Sequence, residues 1–244
     1  MTSTHGTSGR LCNHLIRNVF ISILAERINL MVDYSYHDII EALGIELFSG
    51  RNSYPMQLNL TDTNIMEIIR TKTLPVTFLI GECVYFQSNE CSHYLYNHLR
   101  SERIMKRIVE KNKFAQRYSA NNNVFMHIRL GDSVQYTPGF KYFDKVLSSI
   151  QFDRGFVASD SPGHPMIQQL IEKYPTISVL NANEIDTILF GSTCKNVILS
   201  HGSFSAVIGY LSFHSKVYYP MYEEGKKWCG DMFSDTADWT RVEF

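Results

Sequence analysis

The sequence predicts an α/β protein whose second half is a doubly wound, Rossmann-like parallel sheet. Apolar, strand-like runs at 124–129, 155–159, 176–179, 196–200 and 216–219 alternate with helix-compatible stretches near 140–150, 164–173, 184–190 and 204–212, the rhythm of βαβ units. Polar residues collect where those runs end, at Arg129, at Ser159-Asp160 and at Ser200-His201-Gly202-Ser203, and open α/β sheets bind ligands beyond the carboxyl ends of their strands. With 244 residues, 44% of them hydrophobic, the chain supplies one large core or two smaller ones.

The first half is less regular. A helix is predicted over 11–28, where Leu11, Leu15 and Val19 recur every four residues and Ile16, Phe20, Ile23 and Leu24 cover a neighbouring face. Residues 30–33 suggest a strand, Asp62 suits the cap of a helix running to Arg70, and 74–87 look strand-rich. A long helix, or two, is expected over 92–116, carrying Leu95, Leu99, Ile104 and Ile108. The turn-prone Tyr118-Ser119-Ala120-Asn121-Asn122-Asn123 suggests a boundary. It divides an N-terminal α/β half (1–120) from a Rossmann-like half (121–220), and a tail (221–244) carries Trp228 and Trp239.

Composition narrows the function. A net charge of -1 and a pI near 6.7 argue against general nucleic-acid binding while leaving room for one small anion. Cys12, Cys83, Cys91, Cys194 and Cys229 are odd in number and form no C-x-x-C pair, so neither a zinc site nor a disulfide framework is expected. No apolar run is long enough to span a membrane, and the polar, Gly-rich start is unlike a secretory signal. Reduced thiols and a cytoplasmic location are the expectation, unless an anchor was removed.

Three polar loops stand out. In Gly6-Thr7-Ser8-Gly9-Arg10-Leu11-Cys12-Asn13-His14, two glycines and small hydroxyls precede a helix, a setting for an anion or sugar hydroxyls or for an ordinary cap. Ala158-Ser159-Asp160-Ser161-Pro162 follows a strand, where Asp160 suits either a ribose or base contact or a helix cap. Leu199-Ser200-His201-Gly202-Ser203-Phe204-Ser205 ends a strand and begins a helix, with backbone N–H groups and serines fit to grip a phosphate or to cap. Ahead of the last two lies Val124-Phe125-Met126-His127-Ile128-Arg129-Leu130-Gly131-Asp132, a buried strand ending in charge. Alternation puts His127 and Arg129 on one face and Ile128 on the other. A guanidinium fork there matches phosphate oxygens bidentately, and the plainer alternative pairs Arg129 with Asp132.

At these residues the chain resembles a known family. Gly9-Arg10-Leu11-Cys12-Asn13-His14 is similar to the G-[GR]-[LF]-G-N-[QH] opening of the fucosyltransferase superfamily, and His127 to Asp132 match its H-x-R-x-G-D signature. Ser159-Asp160 resembles its S-D motif, and Ser203-Phe204-Ser205 its S-S-F-S motif with Gly202 replacing the first serine. The order resembles that of α-1,2-fucosyltransferases over most of 6–220. Cys12 stands where glycine is usual, His14 where glutamine is common, and Leu130 where a second arginine is frequent.

The resemblance implies a GT-B architecture, two Rossmann-like halves facing across a cleft, and an inverting transfer that needs no metal. It implies a GDP-fucose donor and a glycan or glycoprotein acceptor. Arg129 would neutralise the diphosphate with support from His127 and Asp132. Ser159 and Asp160 would serve the nucleoside, and Gly202, Ser203, Phe204 and Ser205 the phosphate. Gly9, Arg10, Asn13 and His14 would line the cleft. The leaving diphosphate gains charge in the transition state, and a cation that stays charged at any working pH stabilises it. Many transferases use a metal at D-x-D instead; this chain has no D-x-D, and Glu184-Ile185-Asp186 suits a helix start. His14, His127 and Asp132 are the possible bases. A different nucleotide-sugar donor, and a degenerate module that binds without turnover, are the competing expectations.

Overall fold

The computed structural model describes residues 1–71, 74–118, 120–222, 232 and 238–244. Trp228, Cys229 and Ser119 therefore lie outside the described residues. The chain divides into two compact units, Met1–Arg107 and Ile108–Phe244. The division falls ahead of the polar 118–123 segment. Residues 108–120 belong with the second unit because Asn112 donates to the Leu189 carbonyl (3.0 Å) and Arg117 Nε to Thr193 Oγ1 (3.1 Å).

In the first unit, the long helix α1 (Leu11–Ile28) ends at Asn29, which adopts a left-handed conformation (φ 51°). Around it run two short parallel pairs. β1 (Thr2–Ser3) pairs with β2 (Val32–Asp33), and β3 (Gln57–Leu60) with β4 (Thr77–Ile80). Helices α2 (His37–Ala42), α3 (Ile65–Arg70) and α4 (Asn89–Leu99) complete it, and α5 (Glu102–Lys111) carries the chain onward. Asp62 does not cap α3; Asn64 stands at that cap. The Asp62 carboxylate instead accepts from the amides of Tyr85 (3.1 Å) and Phe86. Two amides across a loop outbid a single cap position.

The second unit is built on six parallel strands, β5 (Val124–Ile128), β6 (Gly155–Ser159), β7 (Ile177–Val179), β8 (Asn196–Ile198), β9 (Lys216–Pro220) and β10 (Trp239–Val242). Their spatial order is β10-β9-β8-β5-β6-β7. Counted from the unit's first strand this is the 3-2-1-4-5-6 order of doubly wound sheets, which reverses between β5 and β8. Helices α6 (Gly139–Ser149), α7 (Pro165–Lys173), α8 (Glu184–Gly191) and α9 (Ser203–Leu211) connect the strands.

Alternation along β5 sends its side chains to two cores. Val124, Met126 and Ile128 pack with Tyr142, Phe143 and Val146 of α6 and Ile167 and Leu170 of α7. On the other face, Phe125 lies so close to Gly191 of α8 that a Cβ there would sit 2.7 Å from its ring, and His127 reaches Ser205 of α9. Strand β10 lies in the segment expected to be a tail. Trp239 is buried at the sheet edge, stacked on Tyr210 (5.7 Å between centroids), and Tyr218 and Tyr219 are buried too. Those aromatics are part of the core. No helix among the described residues is long and apolar enough to cross a membrane.

Candidate functional site

The reversal between β5 and β8 opens the sheet's carboxyl edge at one place, and the loops that leave these strands carry the charge-bearing motif. Arg129 follows β5 directly. Its side chain is mostly buried at 14% exposure, and Nη2 donates to Asp132 Oδ1 at 3.0 Å. Its Nη1 lies over Gly202, where a Cβ would stand only 2.7 Å away. Gly202 adopts φ 89°, ψ 167°, a region that glycine alone enters readily. A side chain at 202 would displace the guanidinium and strain the backbone together.

Gly202 is also the N-cap of α9, and no side chain caps that helix. The Ser205 hydroxyl, one of those expected to cap, is used elsewhere. Ser205 Oγ accepts from the Ser200 amide (3.1 Å) and meets His127 Nδ1 (2.6 Å). The first-turn N–H groups of α9 and the positive end of its dipole thus stand beside a guanidinium, which is an anion-binding arrangement.

Asp160, after β6, does not cap α7 either; His164 Nδ1 takes that position, accepting from Met166 N at 3.2 Å. Asp160 Oδ1 accepts from the amides of Leu130 (2.8 Å) and Gly131 (3.1 Å), and Oδ2 also accepts from Gly131 (3.1 Å). A Cβ at Gly131 would come within 2.8 Å of Oδ2. The carboxylate thereby pins the loop that follows Arg129. Ser159 Oγ accepts from the Ser161 amide at 3.0 Å.

His127 is buried, tilted against the Phe204 ring (4.9 Å between centroids) and held to Ser205. Burial drives its pKa down to about 3, so it stays neutral and closed to solvent. His201, not singled out by the sequence, is buried beneath the same loops. Its Nε2 lies 2.9 Å from Ser133 Oγ and its Nδ1 3.3 Å from Ser200 Oγ. Burial, then the Arg129 charge, brings its pKa to about 4. The nearest legible signal for it was its place between a strand end and a glycine.

The remaining expected residues belong to the first unit. Gly9 adopts φ 110°, with the Asn13 side chain 2.6 Å from where a Cβ would stand. Asn13 Oδ1 accepts from Gln87 Nε2 (2.8 Å), and Arg10 is the N-cap residue of α1. His14 is buried, with Nδ1 2.7 Å from Ser35 Oγ, and burial lowers its pKa. The organiser of this loop is Arg17, which the sequence reading missed. It is fully buried and donates to Thr7 Oγ1, to the Ser8 carbonyl (3.1 Å) and to the Val84 carbonyl (2.8 Å). Backbone carbonyls leave no mark in a sequence, so nothing there announces an arginine with such partners.

Of the expected residues, Arg129, Asp132, Ser159, Asp160, Gly202 and Ser203 therefore lie along one edge of one sheet, with His127, Phe204 and Ser205 packed beneath. Among the described residues no three His, Cys, Asp or Glu side chains are grouped as metal ligands. Compared with known proteins, the chain matches no protein-family model and no curated protein.

Proposed function

We propose that the protein is an inverting, metal-independent glycosyltransferase of fucosyltransferase type, moving fucose from GDP-fucose to a hydroxyl of a glycan or glycoprotein. Its main support is the Arg129 guanidinium packed on Gly202 at the uncapped start of α9, at the strand-order reversal of a parallel sheet. A cation held beside the start of a helix with no side-chain cap suits a leaving diphosphate, whose charge grows as the anomeric bond breaks. Gly131, which packs on Asp160, falls within the motif that matches the family's H-x-R-x-G-D signature, whereas Gly202 stands where that family's S-S-F-S motif has its first serine. A GT-B architecture, with Gly9, Arg10 and Asn13 serving the donor and His14 the catalytic step, is part of the proposal.

A second reading, a nucleotide-binding module without turnover, draws on the burial of His14 and His127. Neither ring is open to an acceptor proton, which leaves the half-exposed, Arg-paired Asp132 as the remaining nominated base.

A panel of GDP- and UDP-sugars, assayed by mass spectrometry with and without EDTA, decides between donors and between turnover and mere binding. With the active donor, Arg129→Ala abolishes transfer. Arg129→Lys restores little, because a point charge lacks the fork. A folded Lys variant with near-normal turnover would remove the diphosphate role from Arg129. GDP binding without any transfer or hydrolysis would favour the module.

A further inference from the structure

The loop that carries Arg129 is tied down from below at both ends through one imidazole. At its start, the Arg129 backbone N–H donates to Ser200 Oγ (3.4 Å), and Ser200 Oγ lies 3.3 Å from His201 Nδ1. At its end, Ser133 Oγ lies 2.9 Å from His201 Nε2, and the Ser133 backbone bonds to the ring as well. Ser133, Ser200 and His201 are all at most 1% exposed. A neutral imidazole offers one donor and one acceptor. One assignment satisfies the run: Ser200 Oγ accepts from Arg129 N–H and donates to Nδ1, while the Nε2 proton goes to Ser133. The chain of bonds then has a single direction from residue 129 to residue 133. Its middle member belongs to the strand-to-helix loop that supplies Gly202. The ring's charged surroundings are Arg129, Asp160 and Asp132, and the Tyr136 ring stands 6.1 Å from it.

We propose that His201 and Ser133 are positioning residues that fix the 129–133 loop against the 200–203 loop, so that the Arg129 fork and the start of α9 meet one pyrophosphate. This inference rests on the donor reading above. Neither residue touches the ligand in this arrangement. The imidazole sets the distance between two loops that leave neighbouring strands, and a site for two linked phosphates depends on that distance.

The test is calorimetric titration of the full chain with inorganic pyrophosphate and with GDP, folding being checked by circular dichroism at the assay temperature. His201→Phe keeps the ring's bulk and removes both ties. It weakens binding of both probes about tenfold, the equivalent of ~1.4 kcal/mol. Ser133→Ala, the milder variant, lowers affinity about threefold, in keeping with one net hydrogen bond, and Ser133→Thr, which keeps the hydroxyl, restores it. Folded His201→Phe and Ser133→Ala proteins that bind pyrophosphate as the wild type does would overturn the inference and leave the donor reading standing. So would a Ser133→Ala loss that threonine fails to restore. Failure of both variants to fold would make the network a folding element and overturn the positioning role. A wild-type protein that binds neither probe would sink the donor reading, and this inference with it.

Discussion

Arg129 acts through what surrounds it, and Gly202 is the neighbour that decides its position. The backbone there occupies a region where any side chain costs roughly 1–3 kcal/mol, and the space a methyl group needs is already held by Nη1. Gly202→Ala therefore carries two penalties, one on stability and one on the guanidinium. We expect a loss of about 1–3 kcal/mol in urea unfolding, together with a fall in GDP affinity larger than that produced by Gly131→Ala. At Gly131 the clash is with Asp160 and no positive φ is involved, so the damage reaches Arg129 only through its loop. Equal affinities for the two variants would mean that Nη1 does not depend on its seat over Gly202. The pairing of Arg129 with Asp132 is compatible with an anion site. Asp132 is half-exposed and uses the Nη2 edge, whereas the start of α9 lies on the Nη1 side. Because the Asp132 side of the pair is half-exposed, water weakens it, and Asp132 can turn aside for a phosphate without leaving a buried carboxylate unpaired.

At the scale of elements, Arg17 does for the first unit what Asp160 does for the second: a charged side chain fixes the backbone of loops outside its own element, Arg17 from within α1 and Asp160 from the end of β6. Arg17→Met keeps the bulk within α1 but strips donors from Thr7, Ser8 and Val84. Each buried acceptor left unpaired costs about 1–3 kcal/mol. Faster amide exchange is expected around residues 6–9 and 82–87, with the interior of α1 little changed. Uniform acceleration over the whole unit, or none, would remove this role from Arg17. The same contrast explains what could be read in advance. The strands and helices over 121–220 were legible to within a few residues, because most are apolar runs bounded by polar or turn-forming residues. So was α1, whose apolar residues recur at helical spacing on two faces. Of the first unit's strands, β2 and β4 fall within the stretches expected at 30–33 and 74–87, whereas β1 and β3, of two and four residues, are too short for alternation to register. Strand β10 escaped because its four residues alternate poorly. At the site, Arg129, Gly202 and the serines were legible from their position at strand ends. The Asp160 clamp, the His201 tie and the Arg17 anchor were not, since each depends on partners that come near only once the sheet has formed.

At the scale of the whole molecule, the polar network beneath the sheet edge gives the fold a dependence on pH. His127 and His201 are held neutral by burial, with pKa values brought to about 3 and about 4, and burial also lowers His14 and His98 in the first unit. In the unfolded chain all four titrate near the ordinary value of about 6.5. Above that value both states are neutral and these groups do not affect stability. As pH falls below it, the unfolded chain takes up protons that the folded chain refuses, so unfolding is favoured. The penalty keeps growing until the pH reaches the folded-state values, and each fully refused proton costs about 1.4 kcal/mol per pH unit. The urea midpoint should hold steady from about pH 8 to about pH 7 and then drop as pH is lowered toward 5, before most carboxylates begin to protonate. His201→Gln, which removes one of the titrating groups, should flatten that drop in the second unit even though it lowers stability at neutral pH. A wild-type midpoint that stays level between about pH 7 and about pH 5 would mean that the two rings accept protons in place. The network would then be open enough to water to make the neutral, one-directional chain of bonds from Arg129 to Ser133 untenable.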